Sequence, residues 1–367
     1  MLTRFNVGGT SRYFEEFFKH ANSREFEYSF LIGKCASNEI EFDLSKLQGV
    51  EIIRIPSMQR KINPLQDFVT FFSLIKIFRN LRPDIIHTHT SKAGLIGRVS
   101  SLLSGKPIVL VHSYHGNIFE EYFSNIVSRC YILIENALSK FTDLFIAISS
   151  QIRDEIQNLG IGENKNWDVI NLGISLDKIQ EHSYKANKEI TSLLWVGRFE
   201  AVKNPMLALE ALQLISTKYP VHLTMVGDGT LLPKVKVYAE SENLPVTFTG
   251  WQETPFQKYP ESDFLFVTSK SEGLGYVILE AALAGIPIIS TEVGGIKDFV
   301  VDNVTGFFAK QNGRSFFEAF ESAFRDPLKI AGVTKNAREL LLSNFSSKSM
   351  VKKYEDAYKR TLASNIK

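Results

Sequence analysis

The stretch SKSEGLGYVILEAALAGIP, residues 269–287, holds two acids, Glu272 and Glu280, with seven residues between them. Upstream, GRFEAVKN places Arg198 and Lys203 five residues apart, and Asn204-Pro205 opens the helical pattern that follows. A guanidinium and an ammonium beside a helix N-terminus suit a diphosphate, which needs charge neutralisation and directed donors together. Glu272 lies in a turn with Gly273, Leu274 and Gly275, ahead of a helix expected from about Tyr276 to Ala284. The free N–H groups of that helix's first turn make a second anion site. If all eight residues were helical, at 1.5 Å each, the two acids would lie roughly 12 Å apart along the axis, so they can flank a phosphate held at the helix end. A carboxylate beside a phosphate is repelled unless it accepts hydrogen bonds from elsewhere, and sugar hydroxyls are natural donors. The pair fits a nucleotide-sugar better than a bare phosphate, with Glu272 on the hexose and Glu280 on the ribose. Chance spacing of a loop acid and a helix acid is the alternative.

Other glycine-bearing strand ends accompany this stretch. MVGDGTLLPKV carries Gly227, Asp228 and Gly229 but lacks the third glycine of a dinucleotide fingerprint, so no NAD site is expected. TFTGWQ ends in Gly250-Trp251, a turn whose backbone groups can read a nucleobase edge; Trp251 taken alone reads as a packing residue. TEVGGIKDF supplies another glycine pair. In the amino-terminal half, RFNVGGTSRY puts Gly8 and Gly9 at a helix start, and HTHTSKAG and VHSYHGN end strands with histidines. His87 and His89 are read as lying on opposite faces of their strand, with no H-x3-H or cysteine partner, so no metal site is expected. His115, beside Gly116, is the candidate catalytic or hydrogen-bonding imidazole, and His87 is read as packed inside.

Short β-branched runs must carry these groups: DIIHTH, IVLVHS, LFIAIS, SLLWVG, HLTMVG, VTFTG, FLFVTS and IPIIST, separated by amphipathic stretches such as NPMLALEALQLISTKY. Continuous short runs alternating with helices indicate an α/β chain with parallel sheets. The polar run KNWDVINLGISLDKIQEHSYKANKEI (165–190) separates two strand series, so two Rossmann-like domains are expected, 1–170 and 171–345, facing across a cleft at their strand ends. Residues 346–367 form a last amphipathic helix, with Met350, Tyr354, Ala357 and Tyr358 on one side, expected to pack back on the first domain. The chain has 367 residues, 44% hydrophobic, a net charge of +2 and only Cys35 and Cys130. That balance gives no electrostatic case for nucleic-acid binding, and two distant cysteines give no disulfide framework. No signal peptide or spanning segment is evident, so a cytoplasmic protein is expected.

In order and over nearly the whole length, these motifs resemble the retaining glycosyltransferases of family GT4, which have the GT-B fold. The resemblance rests on Gly8-Gly9, DIIHTHTSKAG, HGN, VGRFEAVKN, VGDG, SEGLGYVILEAALAGIP and the final helix, and lies nearest to enzymes that assemble bacterial surface polysaccharide or lipid-linked glycans. It implies an amino-terminal acceptor domain and a carboxy-terminal donor domain. Arg198 and Lys203 would hold the diphosphate, Glu280 the ribose, and Glu272 with the Gly273–Gly275 amides the hexose. His115 would attend the transferred sugar, and Gly9 would close over the phosphates. The implied donor is a nucleotide diphosphate sugar, a UDP-sugar favoured, and the acceptor a saccharide, lipid-linked. No cofactor or catalytic metal is implied, and no Asp-x-Asp motif occurs. The sequence departs from the family at its start, where only Met1 to Thr3 precede the RFNVGG loop in place of a full first strand, and at Asp298, where relatives often carry Glu.

Between Arg54 and Lys106 stand nine Lys or Arg (54, 60, 61, 76, 79, 82, 92, 98 and 106) against Asp67 and Asp84, with Phe68, Phe71, Phe72 and Phe78 among them. Either this is an anionic-membrane patch, which would make the protein peripheral at the inner face of the cytoplasmic membrane, or the phenylalanines are core and the charges a solvated face. Two rival functions remain beside transfer: a nucleotide-sugar epimerase of the same architecture, and a non-catalytic member of a polysaccharide-assembly complex.

Overall fold

The computed structural model describes residues 1–365 apart from 38, 48, 106, 117–124, 177–188 and 253–254. Contacts divide the chain into two compact units, Met1–Gly173 with Ser347–Lys367, and Ile174–Ser346.

In the first unit, strands β1 (Ser29–Lys34) and β2 (Glu51–Gln59) pair in parallel, and β3 (Ile85–His89), β4 (Val109–Tyr114), β5 (Leu144–Ala147) and β6 (Asn166–Val169) form a parallel sheet in that order. The amino terminus joins the two pieces. Leu2 bridges Ile32 in parallel and its N–H donates to Leu31 O at 2.9 Å, while His89 N–H donates to Met1 O at 3.0 Å. Met1 and Leu2 thus bridge β1 and β3. Helices α1 (Gly9–His20), α2 (Pro64–Leu81), α3 (Ser91–Leu102), α4 (Asn125–Ser139) and α5 (Ser150–Asn158) connect the strands. Their starts follow local chemistry: Asn63 caps α2 ahead of Pro64, and Ser149 caps α5 by accepting from Ile152 N–H. Met58, Leu74, Phe78, Ile86, Ala93 and Leu110 fill the core beneath α2 and α3.

The second unit holds a six-stranded parallel sheet of order β12-β11-β10-β7-β8-β9. Its strands are β7 (Thr191–Val196), β8 (Val221–Val226), β9 (Val246–Gly250), β10 (Phe264–Val267), β11 (Ile288–Thr291) and β12 (Phe307–Ala309). Helices α6 (Pro205–Ser216), α7 (Leu232–Ser241), α8 (Tyr276–Ala284), α9 (Gly313–Phe324) and α10 (Pro327–Asn344) alternate with them. Every residue of β10 and β11 is buried, as continuous apolar runs in a sheet covered on both faces must be. The order runs outward from β7 in one direction and from β10 in the other, the doubly wound arrangement that reverses between those two strands. The last helix, α11 (Ser347–Asn365), belongs to the first unit, where it buries Met350, Val351, Tyr354, Ala357 and Tyr358.

Four strands went unmarked in the sequence: β1, β2, β6 and β12. The polar run 165–190, expected to be a break between the strand series, holds a strand as well, since Asn166–Val169 pairs along β5. Among the described residues, no helix is long and apolar enough to cross a membrane.

Candidate functional site

Open parallel sheets bind ligands beyond the carboxyl ends of their strands, where the order reverses. In the second unit that point lies between β7 and β10, and it brings together two of the expected residues. Lys203, after β7, forms an ion pair with Glu272, after β10; their side chains are 23% and 12% exposed. Ser269 Oγ also donates to Glu272 Oε2 at 3.1 Å. Thr268 ties the two loops, accepting from Trp195 Nε1 at 2.9 Å and donating to Lys203 O at 2.9 Å. Lys270 N–H donates to Val202 O at 2.7 Å. Asn204, next to Lys203, adopts φ 47, a left-handed conformation that asparagine tolerates and that delivers the chain into Pro205 of α6.

The glycine pairs prove to be parts of this scaffold. Gly227 has φ 136, and a Cβ there would lie 1.9 Å from Gly197 O, so only glycine lets the β8 loop cross the β7 loop. Gly294 has φ 55, and its Cβ would lie 1.8 Å from Glu272 O, while Gly295 N–H donates to that oxygen at 2.9 Å. The TEVGG segment therefore grips the backbone of Glu272.

The remaining expected residues of this unit are placed separately. Glu280, on α8, is 1% exposed and accepts from Tyr259 Oη at 2.6 Å. Tyr259 was not foreseen, because only the folded chain brings it beside α8. Arg198 is exposed, and its guanidinium makes no hydrogen bond or ion pair among the described residues. Gly275 is the residue before α8, with φ 77, and Leu274 is fully buried beneath that turn. Gly250 has φ 71 at the end of β9. Trp251 is 48% exposed, so its reading as a packing residue is corrected: the indole stands at the surface beyond β9.

The first unit gathers imidazoles at the ends of β3 and β4. His87 and His89 share one face, ring centroids 4.0 Å apart, correcting the expectation of opposite faces. Side chains two residues apart on a strand always point the same way. His87 is hydrogen-bonded at both nitrogens, Nδ1 to Tyr358 Oη at 2.6 Å and Nε2 to Ser113 Oγ at 2.7 Å, so it links β3, β4 and α11. His89 Nδ1 meets His115 Nε2 at 2.9 Å, and Tyr13 of α1 packs edge-on against His115 with centroids 5.1 Å apart. The pairing leaves Nδ1 as the His115 nitrogen that His89 does not use. On the other side of the strand, His112 Nδ1 meets Thr88 Oγ1 at 2.8 Å.

Burial holds His87, His89 and His112 well below the usual imidazole range and pushes His115 down to about 4. The cluster is neutral near pH 7 and can donate and accept hydrogen bonds without carrying charge. Among the described residues, no group of three or more potential ligands could hold a metal ion. Gly8 and Gly9, at the start of α1, face open space on their Cβ side. Thr90, directly after His89, has φ 67, a strained conformation for a β-branched residue and of the kind found at functional sites.

Beneath the imidazoles, Arg98 is 0% exposed and donates from Nη2 to both Glu135 oxygens at 2.7 Å. Its Nε donates to Gly94 O at 2.9 Å, and Tyr114 Oη donates to Glu135 Oε2 at 3.0 Å.

Residues 7–178 match the family described as Glycosyltransferase Family 4, and residues 177–340 the family described as Glycosyl transferases group 1. The chain is 29% identical over 328 residues to the Escherichia coli UDP-Gal:alpha-D-GlcNAc-diphosphoundecaprenol alpha-1,3-galactosyltransferase, covering 84% of each chain. It is 24% identical to the Staphylococcus aureus capsular polysaccharide biosynthesis glycosyltransferase CapM, over 84% of this chain and 85% of that one. Among solved structures, Anabaena HepE in complex with UDP superposes with a TM-score of 0.78 at 19% identity, covering 98% of both chains. Two parallel-sheet units, the reversal between β7 and β10 and the joint match across residues 7–340 place the chain among the family 4 glycosyltransferases, with the GT-B fold.

Proposed function

We propose that the chain is a retaining, metal-independent hexosyltransferase that moves a hexose or N-acetylhexosamine from a nucleotide diphosphate sugar, a UDP-sugar favoured, to a lipid-linked saccharide in bacterial polysaccharide or glycan synthesis. The observation that carries this reading is the Lys203–Glu272 pair at the β7/β10 reversal. In this structure the two neutralise each other. A diphosphate offers Lys203 a stronger partner, and Glu272 is released to accept hydrogen bonds from the hexose hydroxyls. Arg198, exposed on the same loop, adds a second cation, and the N–H groups at the start of α8 face the leaving charge.

Glu280 takes the ribose, its rotamer fixed by Tyr259, and Gly250 with Trp251 takes the base. His115 attends the transferred sugar through the nitrogen that His89 does not occupy, and Gly8 and Gly9 supply backbone donors to the phosphates. The new glycosidic bond forms on the face from which the diphosphate departs, and the departing phosphate oxygen accepts the acceptor's proton. A UDP-sugar is favoured because the E. coli relative is named for UDP-Gal and HepE was solved with UDP. The lipid-linked acceptor is favoured because the same relative acts on a diphosphoundecaprenol-linked sugar.

The test is calorimetric binding of UDP, GDP, ADP and their common sugars to the wild type and to Arg198→Ala, Lys203→Ala and Glu280→Ala, followed by product analysis with lipid-linked acceptors. One nucleotide that binds the wild type and is lost in the variants, with an anomerically retained glycoside, supports the reading. A rearranged nucleotide-sugar without glycoside would establish an epimerase. Donor binding with no transfer would establish a non-catalytic assembly member.

A further inference from the structure

The transfer reaction leaves the outer face of α2 unexplained. A helix lying on a sheet normally turns one apolar stripe inward and polar residues outward. α2 buries Thr70, Leu74, Ile75 and Phe78, yet its opposite side is apolar as well. Leu65 is 80% exposed, Phe68 64%, Phe72 53% and Val69 51%, and Ile62, just before the helix, is 62% exposed. Positions 65, 68, 69 and 72 follow the i, i+3, i+4, i+7 rule for a single stripe, which continues into Lys76 and Arg79. Phe68 and Phe72 pack edge to face with centroids 4.7 Å apart, so the stripe is a ridge rather than scattered side chains. At its far end Arg79 Nη2 donates to Leu103 O at 3.1 Å, and Leu102 and Leu103 are themselves 47% and 53% exposed. Exposed apolar residues are ordinary one by one, but a contiguous ridge marks an interaction surface.

The charge count around this helix changes in the folded chain. Arg54 pairs with Glu41, Lys92 with Asp67, and Arg98 is buried against Glu135; Lys106 lies outside the described residues. The exposed cations nearest the ridge are Arg60 and Lys61 at one end and Lys76 and Arg79 at the other, and no acid lies on the stripe between them. A purely apolar partner would leave these cations unmatched. An anionic bilayer supplies both halves of the match, acyl chains for the ridge and phosphates for the cations at its ends.

We propose that α2 is a membrane-insertion ridge. It lies in the plane of an anionic bilayer, with Leu65, Phe68, Val69 and Phe72 at the acyl boundary and Arg60, Lys61, Lys76 and Arg79 at headgroup level. Apolar insertion carries the attachment, and charge adds to it. The purpose of the ridge rests on the lipid-linked acceptor of the proposed function, whereas its geometry does not.

The full chain is sedimented with phosphatidylcholine vesicles with and without phosphatidylglycerol, at low and high salt. Compared with the wild type are Phe68→Ser/Phe72→Ser and Lys76→Glu/Arg79→Glu, each checked by circular dichroism for an unchanged fold. The wild type binds the anionic vesicles. The serine variant loses roughly tenfold or more in binding at both salt concentrations, because it removes buried apolar area. The charge-reversed variant loses binding chiefly at low salt. A wild type that ignores both vesicles, or a serine variant that binds like the wild type, overturns the proposal. So does sedimentation velocity showing a dimer that the serine variant dissociates, which would make a second copy the occupant. Vesicle binding without glycosyl transfer would sink the proposed function and leave the ridge standing.

Discussion

Two ion pairs, one in each unit, look alike on paper and differ in what surrounds them. Arg98–Glu135 lies in the first unit with side-chain exposures of 0% and 1%, and Thr142 and Tyr114 complete its hydrogen bonds. Lys203–Glu272 lies in the second at 23% and 12%, at the reversal point of the sheet. A fully dry, fully bonded pair is structural, since neither partner can leave without stranding a charge. A half-open pair is one that a ligand can take apart. The same contrast separates the two sets of strand ends: neutral imidazoles after β3 and β4, and unlike charges after β7 and β10.

Breaking the buried pair should have the largest effect. Arg98→Ala strands Glu135 and should cost about 3–5 kcal/mol in urea denaturation, whereas the apolar pair Arg98→Met/Glu135→Leu should recover much of that. Equal losses in both variants would mean that packing of α3 and α4, and not charge, is what the pair supplies.

Acidification tests the imidazoles. Their folded pKa values lie below the unfolded value near 6.5, so their contribution is complete above that pH and is lost as pH falls toward about 4, where His115 titrates. Stability of the full chain should fall by about 1.4 kcal/mol per pH unit for each proton the unfolded chain takes up. His112→Asn should shallow that slope, and a slope unchanged by it would show that carboxylates dominate.

The half-open pair predicts the reverse division of effects. Lys203→Met should cost less stability than Arg98→Ala, about 1–2 kcal/mol because Glu272 keeps Ser269, yet weaken donor binding by roughly 10- to 100-fold, the worth of a charged hydrogen bond. A stability loss as great as that of Arg98→Ala would erase the distinction between the pairs.

The smallest effect concerns the clamp on Glu272. Gly294→Ala places a Cβ against Glu272 O at a positive φ, and should cost about 1–2 kcal/mol while weakening donor binding. Unaltered affinity would show that Glu272 is positioned by Lys203 and Ser269 alone.

Much of this was legible beforehand, and unevenly. Strands such as FLFV and IIST announce themselves because both faces are covered and every position must be apolar. EIIRIPSMQ (β2) does not, since it belongs to a two-stranded piece, carries Pro56 and is buried only at Ile55 and Met58; NWDV (β6) hides in a polar run. The histidine spacing was informative and misread, because a two-residue interval on a strand already dictates a shared face. Trp251 stands exposed, Tyr259 reaches Glu280 and Gly294 meets Glu272 for reasons no local pattern holds: each depends on where a distant segment comes to rest.

Local patterning by itself determined the parallel α/β architecture, the division into two strand series and the residue types at the strand ends, because side-chain periodicity and turn chemistry act over a few residues. Tertiary structure alone decided which of those residues meet. The Lys203–Glu272 pair spans 69 residues and the His87–Tyr358 bond 271, distances along the chain at which no periodic signal survives and only the order of strands sets the contact. The exposed ridge of α2 belongs to the same class. Its sequence spaces the phenylalanines too closely to separate an inner from an outer face, and only the sheet it lies against determines which of them water must meet.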